Sequence, residues 1–191
     1  MSAGELTSAG GFGGLLLLVV CLVVPARPEA RAATGTPAVT DERTAASTVA
    51  RPIELLFPVP AVSPAAMADS FKDTRGDRVH QAVDIMAPRH SEVVAVADGS
   101  IARMTSSVAG GIAVYEWSAG QRFVYYYAHL QGYAPGLVEG QTVRRGQVLG
   151  YVGTTGNAPA NTPHLHFAIA RVERPNQWWG GAPLDPYPLW R

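Results

Sequence analysis

Five histidines lie in this chain of 191 residues, and they are not scattered. His164 and His166 are separated by one residue at the start of an apolar, strand-like run. In a strand, positions i and i+2 point to the same face, so both imidazoles can converge on one point while Leu165 and Phe167 turn toward a core. His80 and Asp84 are four apart, and Val83 and Ile85 mark an extended or loosely looped segment that sets 80 and 84 on one side. His129 ends the strand-like Tyr125-Tyr126-Tyr127. His90, in Pro88-Arg89-His90-Ser91, has no partner in sequence. Two imidazoles and one carboxylate make the shell of a catalytic zinc, with a fourth position open for water. Each element also has a plain structural reading. His-X-His pairs arise by chance, a His and an Asp four apart can be a surface pair, and the tyrosines can be ordinary sheet residues.

Other chemistries find little support. The single cysteine, Cys21, lies in an apolar run near the start, so the rest of the chain has neither a disulfide framework nor a thiolate metal site. No Gly-X-Ser-X-Gly elbow and no His-Glu-X-X-His helix occurs. Gly146 to Gly156 lacks the Lys-Ser/Thr ending of a phosphate loop. Lys and Arg equal Asp and Glu at 15 each, so no basic field is available for a phosphate backbone and nucleic acid is not an expected partner.

The elements that must carry these residues are short strands. Gly (20) and Pro (15) are abundant and cut the chain into turns. Val93–Ala97, Ser100–Met104, Gly111–Trp117, Arg122–Tyr127, Val148–Val152 and Leu165–Ala170 read as strands, with a hairpin turn at Ser118-Ala119-Gly120-Gln121. Nothing has a helical period beyond two turns. The expectation is a mostly β chain: a single compact antiparallel β domain with short loops over 55–191. The turns around Thr105 to Gly111 and Gly156 to Thr162 should line the cleft. The aromatic tail, Trp178, Trp179 and Trp190, reads either as a cap on the sheet or as a substrate-contact surface.

Ahead of this domain the character differs. Leu15 to Val24 is an unbroken apolar run, too short for a comfortable membrane span. Residues 1–33 therefore read as a signal peptide or an N-terminal membrane anchor, although Glu5 rather than a basic residue precedes the run. Residues 34–54, rich in Ala, Thr, Arg and Pro, read as a flexible linker. The chain is expected to be exported, to be secreted or held in the cell wall or periplasm with a possible membrane tether, and to act as a monomer.

Read together, five segments resemble the M23 family of zinc endopeptidases, the lysostaphin or LytM type. They are His80-Gln81-Ala82-Val83-Asp84-Ile85, Ala95-Val96-Ala97-Asp98-Gly99, Tyr127-Ala128-His129-Leu130, Val143 through Gly156, and Pro163-His164-Leu165-His166-Phe167. The resemblance implies a lysostaphin/LytM-type β domain. It implies Zn2+ held by His80, Asp84 and His166, with His129 and His164 as the catalytic histidines beside it. It implies hydrolysis of the peptide cross-links or stem peptides of bacterial peptidoglycan. The alternative is a non-catalytic scaffold or activator that binds the wall or a partner hydrolase. The chain departs from the family pattern at Ala82, where glycine is usual, at Asn161-Thr162-Pro163, in the short Thr105–Gly111 region, and at Tyr115-Glu116-Trp117, where an Asp-His-Gly type of turn is often seen.

Overall fold

A computed structural model describes residues 54–191. The expected leader at 1–33 and all of the expected linker except Glu54 lie outside the described residues. Among the described residues there are two short 3-10 turns, Pro64–Ala66 and Tyr187–Trp190, and no α-helix. No helix there is long and apolar enough to cross a membrane.

Eleven strands follow in order. They are β1 (Thr74–Arg75), β2 (Arg78–Val79), β3 (Val83–Met86), β4 (Glu92–Val94), β5 (Gly99–Ser107), β6 (Gly111–Ser118), β7 (Phe123–Tyr133), β8 (Thr142–Val143), β9 (Val148–Val152), β10 (His164–Arg171) and β11 (Ala182–Leu184). β1 and β2 form a small separate hairpin. The other nine make one sheet, whose main path runs β11-β10-β7-β6-β5-β8, with β3 beside β10 and β9 joining β7 to β4. Every pairing is antiparallel.

Alternation along β10 sets the two faces of the sheet. Leu165, Phe167 and Ile169 are at most 1% exposed and join Val83, Ile85, Ile101, Val114, Tyr127 and Leu149 in one core. Burying each large side chain contributes roughly 1.5–3 kcal/mol, which fixes the register, because a one-residue slip would turn this set outward. His166, Ala168 and Ala170 take the opposite face. Trp190 closes one end of the core. Its ring lies edge-on to Phe57 at 5.2 Å and tilted on Phe167 at 5.5 Å, and its indole N–H donates to the Leu55 carbonyl at 3.0 Å.

The strands differ from expectation in extent. β4 covers Glu92–Val94 and stops before Ala95-Val96-Ala97. β5 and β7 run on to Ser107 and Tyr133. β7 thus continues through His129 instead of ending there. Tyr115, Glu116 and Trp117 lie inside β6, and the turn follows at Ser118–Gln121, where the Gln121 amide donates to the Ser118 carbonyl at 2.8 Å.

Candidate metal centre

The site is assembled from one row of the sheet. In register, His166 of β10 faces Asp84 of β3 on one side and Ala128 of β7 on the other. His80 enters from the loop between β2 and β3. Gln81, at φ 55°, turns the chain into β3, and its amide donates to the Phe71 carbonyl at 2.8 Å. Ala82, where glycine is usual in the family, is fully buried with its methyl accommodated.

Three ligand atoms converge. His80 Nε2 lies 2.9 Å from His166 Nδ1, and Asp84 Oδ1 lies 3.1 Å from each of them. The donor types and the tautomers fit a metal. His80 Nδ1 is 2.9 Å from the Ser70 carbonyl, which can only accept, so Nδ1 carries the hydrogen and Nε2 directs a bare lone pair into the site. A lone pair and a carboxylate oxygen 3.1 Å apart repel unless a cation lies among them. Ligand atoms sharing a zinc at ~2.1 Å in a tetrahedral shell stand roughly 3.4 Å apart, a few tenths of an ångström beyond these separations. His80, Asp84 and His166 are thus positioned to coordinate a metal ion.

The surroundings hold the carboxylate ionised. Burial alone would raise the pKa of Asp84, but the neighbouring imidazoles of His166, His80 and His164 outweigh it and hold the group at about 2. Arg75, on β1, donates to Asp84 Oδ2 at 2.9 Å and leaves Oδ1 to the metal side. The Ser70 hydroxyl accepts from the Asp84 amide at 3.2 Å. Neither Arg75 nor Ser70 was picked out from the sequence. The Gly76-Asp77 pair between Arg75 and Arg78 was the available sign of a hairpin there.

His129 and His164 stand across from this cluster. Their ring centroids are 4.9 Å apart, and His129 is 5.6 Å from His166. His164 Nε2 comes to 3.9 Å from Asp84 Oδ1. The Nδ1 atoms donate to backbone carbonyls, His129 to Thr155 and His164 to Thr162, both at 2.8 Å, so each ring has Nε2 free. Burial lowers the pKa of His129 and of His80, while the carbonyl each one faces works the other way.

His129 reaches this place through a backbone irregularity. Tyr125 and Tyr127 face the core, and strict alternation would send His129 after them. Instead His129 adopts φ 59°, its amide donates to the Gly110 carbonyl at 2.8 Å, and the β7 register shifts just beyond it. A bulge of this kind re-aims a side chain. Gly111 supports it. At φ +62° an added Cβ would sit 2.2 Å from Thr155 Oγ1 and 2.5 Å from the Gly156 amide, so only glycine lets the loop carrying the Thr155 carbonyl come this close.

These groups border a cleft of about 700 Å³, walled on one side by the β1–β2 hairpin and on the other by Ala109, Gly110 and Asn157–Pro159. Thr105 to Ser107, expected in that wall, belong to β5. Tyr126, read from sequence as a sheet residue, also borders the cleft, its ring 5.9 Å from His166. His90 is exposed and is not among the residues that border the cleft.

Comparison with known proteins agrees with this geometry. The L-Ala–D-Glu endopeptidase of Bacillus subtilis (strain 168) is 32% identical over 147 residues, covering 71% of this chain and 42% of that protein. The chain therefore spans well under half the length of this relative. The structure of Csd3 from Helicobacter pylori superposes with a TM-score of 0.55 at 28% identity, over 72% of this chain and 33% of Csd3. Lysostaphin from Staphylococcus simulans gives 0.54 at 25% identity, over 65% and 48%. The family model described as Peptidase family M23 matches residues 78–186, more than half of the chain, and the chain belongs to that family.

Proposed function

We propose that the protein is a zinc-dependent endopeptidase that hydrolyses peptide bonds in bacterial peptidoglycan, acting outside the cytoplasm. The observation that carries the reading is the His80–Asp84–His166 triangle faced by two imidazoles that each keep a free Nε2. A site of ligands alone would store a metal; a site with two flanking bases can also move protons. A zinc ion held by His80, Asp84 and His166 supplies Lewis acidity toward the scissile carbonyl and lowers the pKa of water toward neutrality.

The remaining work falls to the chain's own groups. His129 and His164 are the catalytic histidines. Desolvation favours the neutral form of His129, and its free Nε2 accepts the proton of the attacking water. His164, with Nε2 facing the same space, donates a hydrogen bond to the oxyanion or returns a proton to the leaving amine. The Thr155 and Thr162 carbonyls fix the tautomer and orientation of the two rings. Arg75 keeps Asp84 from turning both oxygens toward the metal. The open cleft admits an extended peptide between the β1–β2 hairpin and the Asn157–Pro159 loop.

The substrate class follows from the relatives, one named for cutting an L-Ala–D-Glu bond, and from the leader read at residues 1–33. The test is release of soluble peptide from purified bacterial walls by the zinc-loaded protein, with and without a chelator. Chelator-sensitive release supports the proposal. Walls of several cross-link chemistries left intact by metal-loaded protein would contradict it and favour a scaffold role.

A further inference from the structure

The three tail tryptophans part company in the structure. Trp190 caps the core, but Trp178 and Trp179 lie on the outer side of the sheet and continue a row of rings that begins at the metal centre. From His166 the row passes to Tyr126 at 5.9 Å, to Tyr115 at 4.4 Å, to Trp178 at 4.6 Å and to Trp179 at 5.0 Å. Tyr115 and Tyr126 are directly cross-strand, on the face of the sheet that bears His166. Beside them β10 offers only Ala168 and Ala170, so no large neighbour covers the row from that strand. Trp178 packs on Tyr115 and so covers part of the sheet. Trp179 does not have that excuse: it is 56% exposed at the far end, where an indole held in water forgoes the burial that would stabilise it.

We propose that this row is a binding track for the sugar chain of the substrate, with Trp178 and Trp179 stacking on pyranose rings. The inference rests on the peptidase reading of the cleft. The track is continuous with the cleft, because Tyr126 borders both. Its four steps are the reach of at most roughly six extended residues at ~3.4 Å each, so a short peptide with its scissile bond at the metal can leave its attached sugar over the indoles. The chemistry of the far end favours a neutral ring. The residues flanking the indoles are Asn176, Gln177, Gly180 and Gly181, with no charge among them, and the Gln177 side-chain amide is turned in to the Trp179 carbonyl at 2.9 Å. A pyranose presents one face of C–H bonds to an aromatic ring and hydroxyls at its rim. That suits an exposed indole with water around it better than a phosphate or a carboxylate would.

The full-length, zinc-loaded protein and its Trp179→Ala and Trp179→Phe variants test this. Trp179 is largely exposed, so both variants fold. The probes are a β-1,4-linked N-acetylglucosamine hexamer, a sugar-free stem peptide, and the same peptide attached to its glycan. The hexamer should shift the tryptophan emission of wild type, and Trp179→Ala should lose most of that shift. Trp179→Ala should raise KM for the glycan-attached peptide about tenfold with kcat unchanged, leave the sugar-free peptide as in wild type, and be partly rescued by Phe. No emission change with hexamer in wild type overturns the proposal. Equal loss on both peptides also overturns it, since the track would then bind peptide. If wild type cleaves neither peptide, the peptidase reading fails, and the hexamer titration still decides whether the track binds sugar.

Discussion

Glu116 gives the sharpest stability prediction. It is fully buried in β6, one oxygen 2.5 Å from the Tyr127 hydroxyl and the other without a hydrogen-bond partner. Burial pushes its pKa from 4.5 to about 8, against the smaller opposing effect of the Tyr127 bond. The folded protein therefore keeps this proton up to about pH 8, whereas the unfolded chain releases it near 4.5. Between those values the folded state binds more protons, so stability is full below pH 4.5 and falls as pH rises toward 8. At roughly 1.4 kcal/mol per pH unit, the loss is about 3 kcal/mol by pH 7 and at most about 5 kcal/mol above pH 8. Glu116→Gln removes the titration while keeping an acceptor for Tyr127. In urea unfolding at pH 5, 6, 7 and 8, the stability of wild type minus that of Glu116→Gln should fall by about 4 kcal/mol across the series. All other titrating groups cancel in the difference. Parallel curves for the two proteins would refute the reasoning, because Glu116 would then be ionised in the fold or free in both states.

Other consequences follow from the same contacts. Arg75→Ala frees the second oxygen of Asp84 and should weaken zinc binding about tenfold in a competition titration with a metal indicator, with little change in thermal stability. Gly111→Ala puts a methyl against Thr155 and Gly156, so it should cost roughly 2–4 kcal/mol in urea unfolding and displace the His129 ring. Zinc at a hundred times its Kd should raise the stability of the metal-free protein by about 2.7 kcal/mol, read as a rise in Tm, and His166→Ala should abolish that rise. Residues 1–50 fused to a reporter active only outside the cytoplasm should give activity; a soluble, uncleaved cytoplasmic product would remove the leader from the account.

Much of the site could be read from the sequence, because its logic is local. The His164-X-His166 spacing needs only the two-residue period of a strand, and the same period sends Leu165 and Phe167 into the core. The antiparallel β class was visible in the spacing of turns. What could not be read was set by contacts between distant residues. His129 looked like a strand end because nothing local reveals that a carbonyl at Gly110 and the Gly111–Gly156 approach hold it in a left-handed bulge within β7. Arg75 sits in a two-residue strand too short to show a period, and its partner is nine residues away. Gly111–Trp117 was expected as a strand and is one, but nothing local shows that Glu116 within it is a buried acid bonded to Tyr127. The tail tryptophans could be read two ways, and only packing on Phe57 and Phe167 separates Trp190 from the pair at 178 and 179.

The central claim is that three residues hold the metal and two others move protons. It is tested most directly by measuring, on the same samples, zinc per chain and soluble peptide released from purified walls, for wild type and for His166→Ala, His129→Ala and His164→Ala. Wild type should carry close to one zinc per chain and cleave. His166→Ala should lose both properties together. His129→Ala and His164→Ala should keep most of the zinc and lose about a hundredfold or more in rate. Near wild-type cleavage by either of the last two variants, or a wild type that binds no metal after zinc is supplied, would contradict the account.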